Sequence, residues 1–244
     1  MTGRLLSGLH RAAAVVVLSA ALAAPAAAQQ PTVQQVYDKF AEAVGGRAAW
    51  AKVVDRTETG KADIAYVGIS GTYARYYGGG GKYRLVIDLG MGKVEQGSDG
   101  SVVWSGQPDG SVAKMPEPDA TYSIEANQSG DAFLNMTAYT KADVVGQEEF
   151  DGVPCYKLQV TTKAGRERVE YFEVATGLRR GQVFQNAGGQ QRTVWRDYKE
   201  FEGKKVATKT VLTNAQGDIV LTVDAVSFAP TDAALYALPA GIAK

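Results

Sequence analysis

The sequence predicts a mainly β fold: an incomplete antiparallel β-barrel of about eleven to twelve strands, covered by an N-terminal helix and a central helical insertion. Three observations carry this. After Thr57 apolar and polar residues alternate with a period of two for most of the chain. In the run 83–89, for example, Tyr83, Leu85, Ile87 and Leu89 fall on one face and Arg84, Val86 and Asp88 on the other. Turn signals separate the runs, and Asp-Gly at 99–100, 109–110 and 151–152 is the plainest of them. Short connections without intervening helices select antiparallel neighbours over a parallel sheet. So many strands curl as their twist accumulates, and the apolar face then needs a cover.

The first segment is a leader. Arg4 and Arg11 precede the apolar run 12–24, and Ala26-Ala27-Ala28 offers a small-residue cleavage site before Gln29. That run is too short to span a bilayer as a helix. The expectation is a signal peptide over 1–28 and a single domain over 29–244. The alanine-rich leader points to a bacterium and hence to the periplasm. With no cysteine just after the apolar run, the mature chain is expected to be neither lipidated nor membrane-spanning.

The mature chain opens with a helix. Thr32 is its cap, Gln35 completes a capping box, and Val33, Val36, Tyr37, Phe40 and Val44 mark one face. Gly45-Gly46 ends it. Residues 47–54 read as a second short helical segment with Trp50 inward. The alternating runs 57–66, 71–77, 82–89, 93–97, 101–106 and 111–115 follow. Pro116 and Pro118 stop the last of these, and 131–139 reads as a modest helix. Strands resume at 144–150, 153–161, 166–174, 178–186, 191–201, 205–213 and 219–228.

Composition narrows the function. Arg4 and Arg11 account for two of the 26 basic residues, against 26 acidic ones, so the mature chain is close to neutral. It lacks the basic field that nucleic acid demands. The only histidine, His10, sits in the leader, which removes the commonest general base and the usual zinc and copper ligand sets. Cys155, the single cysteine, reads as a small buried apolar residue. Residues 78–81 (Gly-Gly-Gly-Gly) lie between strands and read as a flexible hairpin tip, since a phosphate cradle requires a following helix. The acidic pairs Glu148-Glu149 and Asp197 with Glu200 read as solvated strand faces. No catalytic residue, metal site or cofactor is expected.

Several phrases, in order, resemble the LolA/LolB-like superfamily of periplasmic lipoprotein carriers. They are Ala43-x-Gly45-Gly46 after the first helix; Gly71-Thr72-x-x-Arg75; Asp99-Gly100-x-x-x-Trp104; and the stretches 148–160, 171–180 and 227–241. The resemblance spans nearly the whole mature chain. It implies a half-barrel whose apolar cavity holds lipoprotein acyl chains, with inner- and outer-membrane transport proteins as partners. Two family features are missing. The Arg-Pro pair that governs cavity opening has no counterpart in 76–83, where Arg75 comes several positions too early. The N-terminal cysteine of the lipidated receptor branch is also missing.

Inward apolar residues suit a packed core and a lined cavity equally; the resemblance favours the cavity. Its expected lining is Leu85, Ile87, Leu89, Val102 and Trp104 from the first half. Leu158, Val160, Phe172 and Trp195 come from the second half, with Phe133 and Met136 on the lid. The expected function is a monomeric, non-enzymatic carrier of lipoprotein acyl chains or free lipid. The alternative is an envelope sensor or interaction module with the same fold and a packed core.

Overall fold

The computed structural model describes residues 30–186 and 188–242. The expected leader, and His10 with it, lies outside the described residues. Helix α1 (Val33–Ala43) begins with the expected capping box: the Thr32 hydroxyl accepts from the Gln35 amide, and the Gln35 side chain accepts from the Thr32 amide. One turn, α2 (Arg47–Trp50), follows.

Thirteen strands form one antiparallel sheet. A first arm contains β1 (Arg56–Ile64), β2 (Ile69–Tyr77), β3 (Lys82–Asp88), β4 (Lys93–Asp99), β5 (Val103–Gly106) and β6 (Val112–Lys114). A second contains β7 (Tyr139–Phe150), β8 (Val153–Thr162), β9 (Glu167–Glu173), β10 (Arg179–Asn186), β11 (Gly189–Phe201), β12 (Lys204–Asn214) and β13 (Gly217–Ser227). Each arm is a meander, and one non-local pairing, β1 with β13, joins them, so β6 and β7 are the free edges. The sheet stays open. It is the incomplete barrel expected from the alternation, with every alternating run paired, including the three residues of β6.

The helical insertion differs in detail. Helix α3 (Asp119–Ala126) forms just after the two prolines. The expected helix at 131–139 is replaced by two 3₁₀ turns, Ala132–Leu134 and Met136–Ala138, with Asn135 extended between them. The cause is local: the Asn135 side chain donates to the Asp131 carbonyl at 3.0 Å, which competes with helix propagation.

This insertion runs from one free edge to the other and so crosses the open side. On α3, Ala120 and Ile124 pack with Tyr83, Val103 and Met115 from the first arm, and Ser123 bonds the Tyr83 hydroxyl at 2.5 Å. Its Tyr122 ring meets Phe184 of the second arm at 5.4 Å and lies under the Arg166 guanidinium at 4.0 Å. Arg47 then holds the first 3₁₀ turn by donating to the Leu134 carbonyl and to Asn135 Oδ1. The lid is therefore tied to both arms and to α2.

Two of the smaller expectations can be compared with the structure. The run 78–81 is anchored at its two ends, where a Cβ on Gly78 would meet the Tyr236 ring at 2.9 Å and one on Gly81 would meet Ile124 at 2.7 Å, while Gly79 and Gly80 at the tip are exposed. Cys155 is fully buried as expected, in an outer cluster with Phe150, Tyr171, Val194 and Val211, so part of the outer face is apolar too. Burial pushes its thiol up to about 11, which leaves it unreactive.

The seam between the arms makes a prediction. At Gly60 of β1 a Cβ would lie 1.8 Å from the Thr222 carbonyl oxygen of β13. The Gly60→Ala variant should therefore lose about 3 kcal/mol, read as a lower urea midpoint, whereas Gly68→Ala, in open space but at φ +67, should lose about 1 kcal/mol.

Candidate ligand cavity

Strand parity decides which side chains face inward. In the register, Leu85, Ile87 and Tyr83 stand opposite Arg75, Tyr73 and Tyr77, and Gly60 and Glu58 continue that face into β1. On the second arm the same face carries Arg168, Glu170 and Phe172, then Gln182, Thr193, Trp195 and Thr210. The concave surface is thus apolar in part and heavily charged in part.

Beneath α1 an apolar cluster packs, and Phe40 and Val44 at its margin border the smaller of two cavities. Val36, Tyr37, Phe40, Ala41 and Val44 pack with Trp50, Leu134, Leu158, Val160 and Phe172. Phe40 lies 5.5 Å from Phe172 and 6.1 Å from Phe133, and Phe133 in turn meets Trp50 edge-on at 4.9 Å. Rings at these separations and tilts add to the area they bury.

Beneath the lid the interior opens into two adjoining cavities of about 170 and 330 Å³. They share Ala126, Gln128, Phe133, Arg179 and Trp195 as a common wall. The smaller is also bounded by Tyr73, Tyr77, Arg56, Glu58 and Arg75, the larger by Tyr139, Arg168 and Gln182.

The expected lining residues therefore separate. Phe133 and Trp195 line both cavities. Leu158, Val160 and Phe172 lie in the solid cluster beneath α1, with Met136 packed against it, and Phe172 also borders a separate crevice beside Gln35 and Lys39. Ile87 packs with Ala62, Tyr73, Leu221 and Val223, and Leu85 and Leu89 lie against that group. Trp104 points the other way: it pairs with Gly97 on the outer face, where a Cβ on Gly97 would meet its indole at 2.9 Å, and Arg84 covers it at 5.3 Å. Val102 is buried just before β5, and it is Val103 that faces inward against Tyr83.

Sequence reasoning missed the charges. Glu170 is fully buried, and its carboxylate collects four donors. Tyr37 donates to one oxygen at 2.5 Å. The other accepts from Tyr139 at 2.8 Å, from Arg168 Nε at 2.7 Å and from Arg179 at 2.6 Å. Burial alone would raise this carboxyl. Arg179 and Arg168, with the two tyrosine hydrogen bonds, more than offset that and hold it at about 2. Arg179 also bonds Gln182 at 3.0 Å and stacks over Trp195 at 4.6 Å, so Glu170 fixes a residue of the cavity wall. A second cluster sits across the cavity. Arg56 pairs with one Glu58 oxygen at 3.1 Å, Tyr73 donates to the other at 3.2 Å, and Arg56 covers the Tyr77 ring at 3.9 Å.

Comparisons with known proteins bear on the fold. No family model and no curated protein matches the chain. Among solved structures it is similar to a LolA superfamily protein from Nitrosomonas europaea. That match has a TM-score of 0.58 and 12% identity, and covers 86% of this chain and 99% of the other. It is also similar to a DUF1329 family protein from Desulfovibrio piger, with a TM-score of 0.53 and 16% identity, covering 80% and 92%. The fold is LolA-like.

The buried carboxylate predicts the acid limb of stability. A group whose folded value is depressed contributes fully above its unfolded value, near 4.5, and the contribution disappears as pH falls through about 2. The loss is on the order of 3 kcal/mol over that window. Urea midpoints measured against pH should show it. Glu170→Gln should flatten that limb and cost about 3–5 kcal/mol at neutral pH, because the buried Arg168 and the largely buried Arg179 lose their anion.

Proposed function

We propose that this protein is an exported, periplasmic carrier that shelters an acyl chain of a lipoprotein or free lipid between the half-barrel and its lid. The observation that carries the reading is the pair of joined cavities beneath the lid, walled by Phe133 and Trp195. The larger falls at the lower end of the roughly 300–1,000 Å³ usual for ligand sites. The LolA-like fold supports the same reading.

Affinity is hydrophobic. Each methylene taken from water contributes about 0.8 kcal/mol, so a tail of ordinary length is held without covalent chemistry. With the lid closed the space suits one chain; a ligand with more chains requires the lid to move. The Arg47 bonds to Leu134 and Asn135, and the Tyr83–Ser123 bond, are what such a movement breaks. Inner- and outer-membrane transport proteins would then donate and receive the cargo.

A second reading, an envelope sensor or interaction module, is favoured by the solid packing beneath α1 and the charges inside. Native mass spectrometry on protein purified from the periplasm without detergent separates the two. A carrier retains a near-stoichiometric lipid or acylated peptide, or takes up a fluorescent fatty acid. The module does neither. Ala126→Phe, at the wall shared by both cavities, should lower that uptake roughly tenfold or more while leaving the fold intact. Uptake unchanged in the folded variant would place the ligand elsewhere.

A further inference from the structure

Four cations line the smaller cavity, Arg56, Arg75, Arg179 and Lys205, and among its described lining residues Glu58 is the one carboxylate. Three of the four are accounted for. Arg56 is paired with Glu58, Arg179 is held by Glu170, and Lys205 is exposed to solvent.

Arg75 is different. It stands opposite Glu58 in the β1–β2 register, yet that carboxylate is taken by Arg56 and Tyr73. Among the described residues no carboxylate comes within ion-pair distance of Arg75. Its Nη1 donates to the Tyr77 hydroxyl at 3.1 Å, and the Tyr73 and Tyr77 rings lie 5.7 and 5.8 Å away. Its Nε is buried with no hydrogen-bond partner, as are those of Arg56 and Arg179, but those two guanidinia each have a carboxylate and Arg75 has none. A guanidinium removed from water with an idle donor is costly, and its planar fork matches an oxyanion in bidentate fashion.

We infer that Arg75 seats the anionic head of an amphiphile, a carboxylate or a phosphate, whose hydrocarbon tail lies along Phe133 and Trp195. This rests on the carrier reading above. The tail's path follows from the shared wall: from Arg75 it passes Phe133 and Trp195 into the larger cavity. Arg56 and Glu58 cancel, so the net charge facing the head is positive, with Arg75 the buried contributor that lacks a carboxylate. A neutral lipid gains nothing at this end, and a cationic one is repelled.

The test is isothermal titration calorimetry of the purified protein at neutral pH, with each probe below its micelle concentration. The probes are dodecanoate, dodecyl phosphate, dodecanol and dodecyltrimethylammonium. At least one of the two anions should bind roughly tenfold or more tighter than dodecanol, and the ammonium weakest. Which anion binds tighter distinguishes a fatty acid from a phosphate headgroup. Arg75→Met should erase the anion's advantage while leaving dodecanol affinity unchanged, and Arg75→Lys should keep part of it. Equal binding of dodecanol and both anions overturns the inference and leaves the carrier reading standing, as does an anion preference that survives in folded Arg75→Met. Failure of all four probes overturns both. If Arg75→Met does not fold, the comparison on the unmodified protein and on Arg75→Lys decides.

Discussion

The buried carboxylate of Glu170 is the point on which the rest of the interior depends. Taking a carboxylate fully out of water costs several kcal/mol, and two arginines and two tyrosines offset that here only because they converge from different elements. Tyr37 belongs to α1, Tyr139 to the free edge strand β7 where the lid ends, Arg168 to β9 and Arg179 to β10. One side chain thus sets the position of the helix, the end of the lid and the wall of the cavity together. Such a cluster fixes geometry more than it adds stability, since an apolar replacement of the same shape would cost less to bury. What it gives the molecule is a fixed Arg179, and through it the placement of Trp195.

The second constraint is topological. Every pairing in the sheet is between neighbours in sequence except β1 with β13. Two meanders that close locally are thereby joined by a single long-range ladder, and the closure entropy for the whole chain falls on that step. The same arrangement leaves β6 and β7 at opposite ends of an open sheet, and the chain must travel between them. The lid is therefore a consequence of the strand order: the segment that links two distant edges has no route except across the mouth. Its prolines and polar residues break the alternation because it has no strand to pair with.

Much of this was legible in the sequence, and what was not has a physical cause. Period-two alternation depends on burial of one face, so the thirteen strands could be read without knowing their partners. The Thr32–Gln35 box is local, and it too could be read. Trp104 faces outward and not into the expected lining; Val102, Val103 and Trp104 are apolar at successive positions, and parity says nothing when both faces are buried. The charges failed for a related reason. Arg168, Glu170 and Phe172 share a parity, so two ions sit beside a residue already assigned inward, yet the sequence reading assigned them no role. The outer cluster of Phe150, Tyr171 and Val194 shows why: at β9 the outer face is apolar as well. Opposite charges two residues apart, in step with an inward aromatic, were the available signal. Helix α3 was hidden differently, since eight residues with little amphipathic pattern are stabilised by what they bridge and not by their own sequence.

The interior is accordingly divided. Under α1, apolar side chains from helix and sheet interlock, with Phe40, Val44 and Trp50 bordering the smaller cavity; under the lid, charged and aromatic groups leave more room. That division has a direction. A ligand displacing the α1 side must break a packed aromatic cluster, whereas one entering under the lid exchanges a few hydrogen bonds and meets buried charges that, Arg75 apart, have charged partners. Opening at α3 and the 3₁₀ turns is therefore the lower-energy route. The free edges β6 and β7 are the hinges available to it, because no ladder ties either one to a further strand. An apolar half-barrel alone would hold any greasy chain equally well. On the carrier reading proposed above, with paired ions at both walls and Arg75 between them, this cavity would discriminate at one end by charge and bind at the other by area.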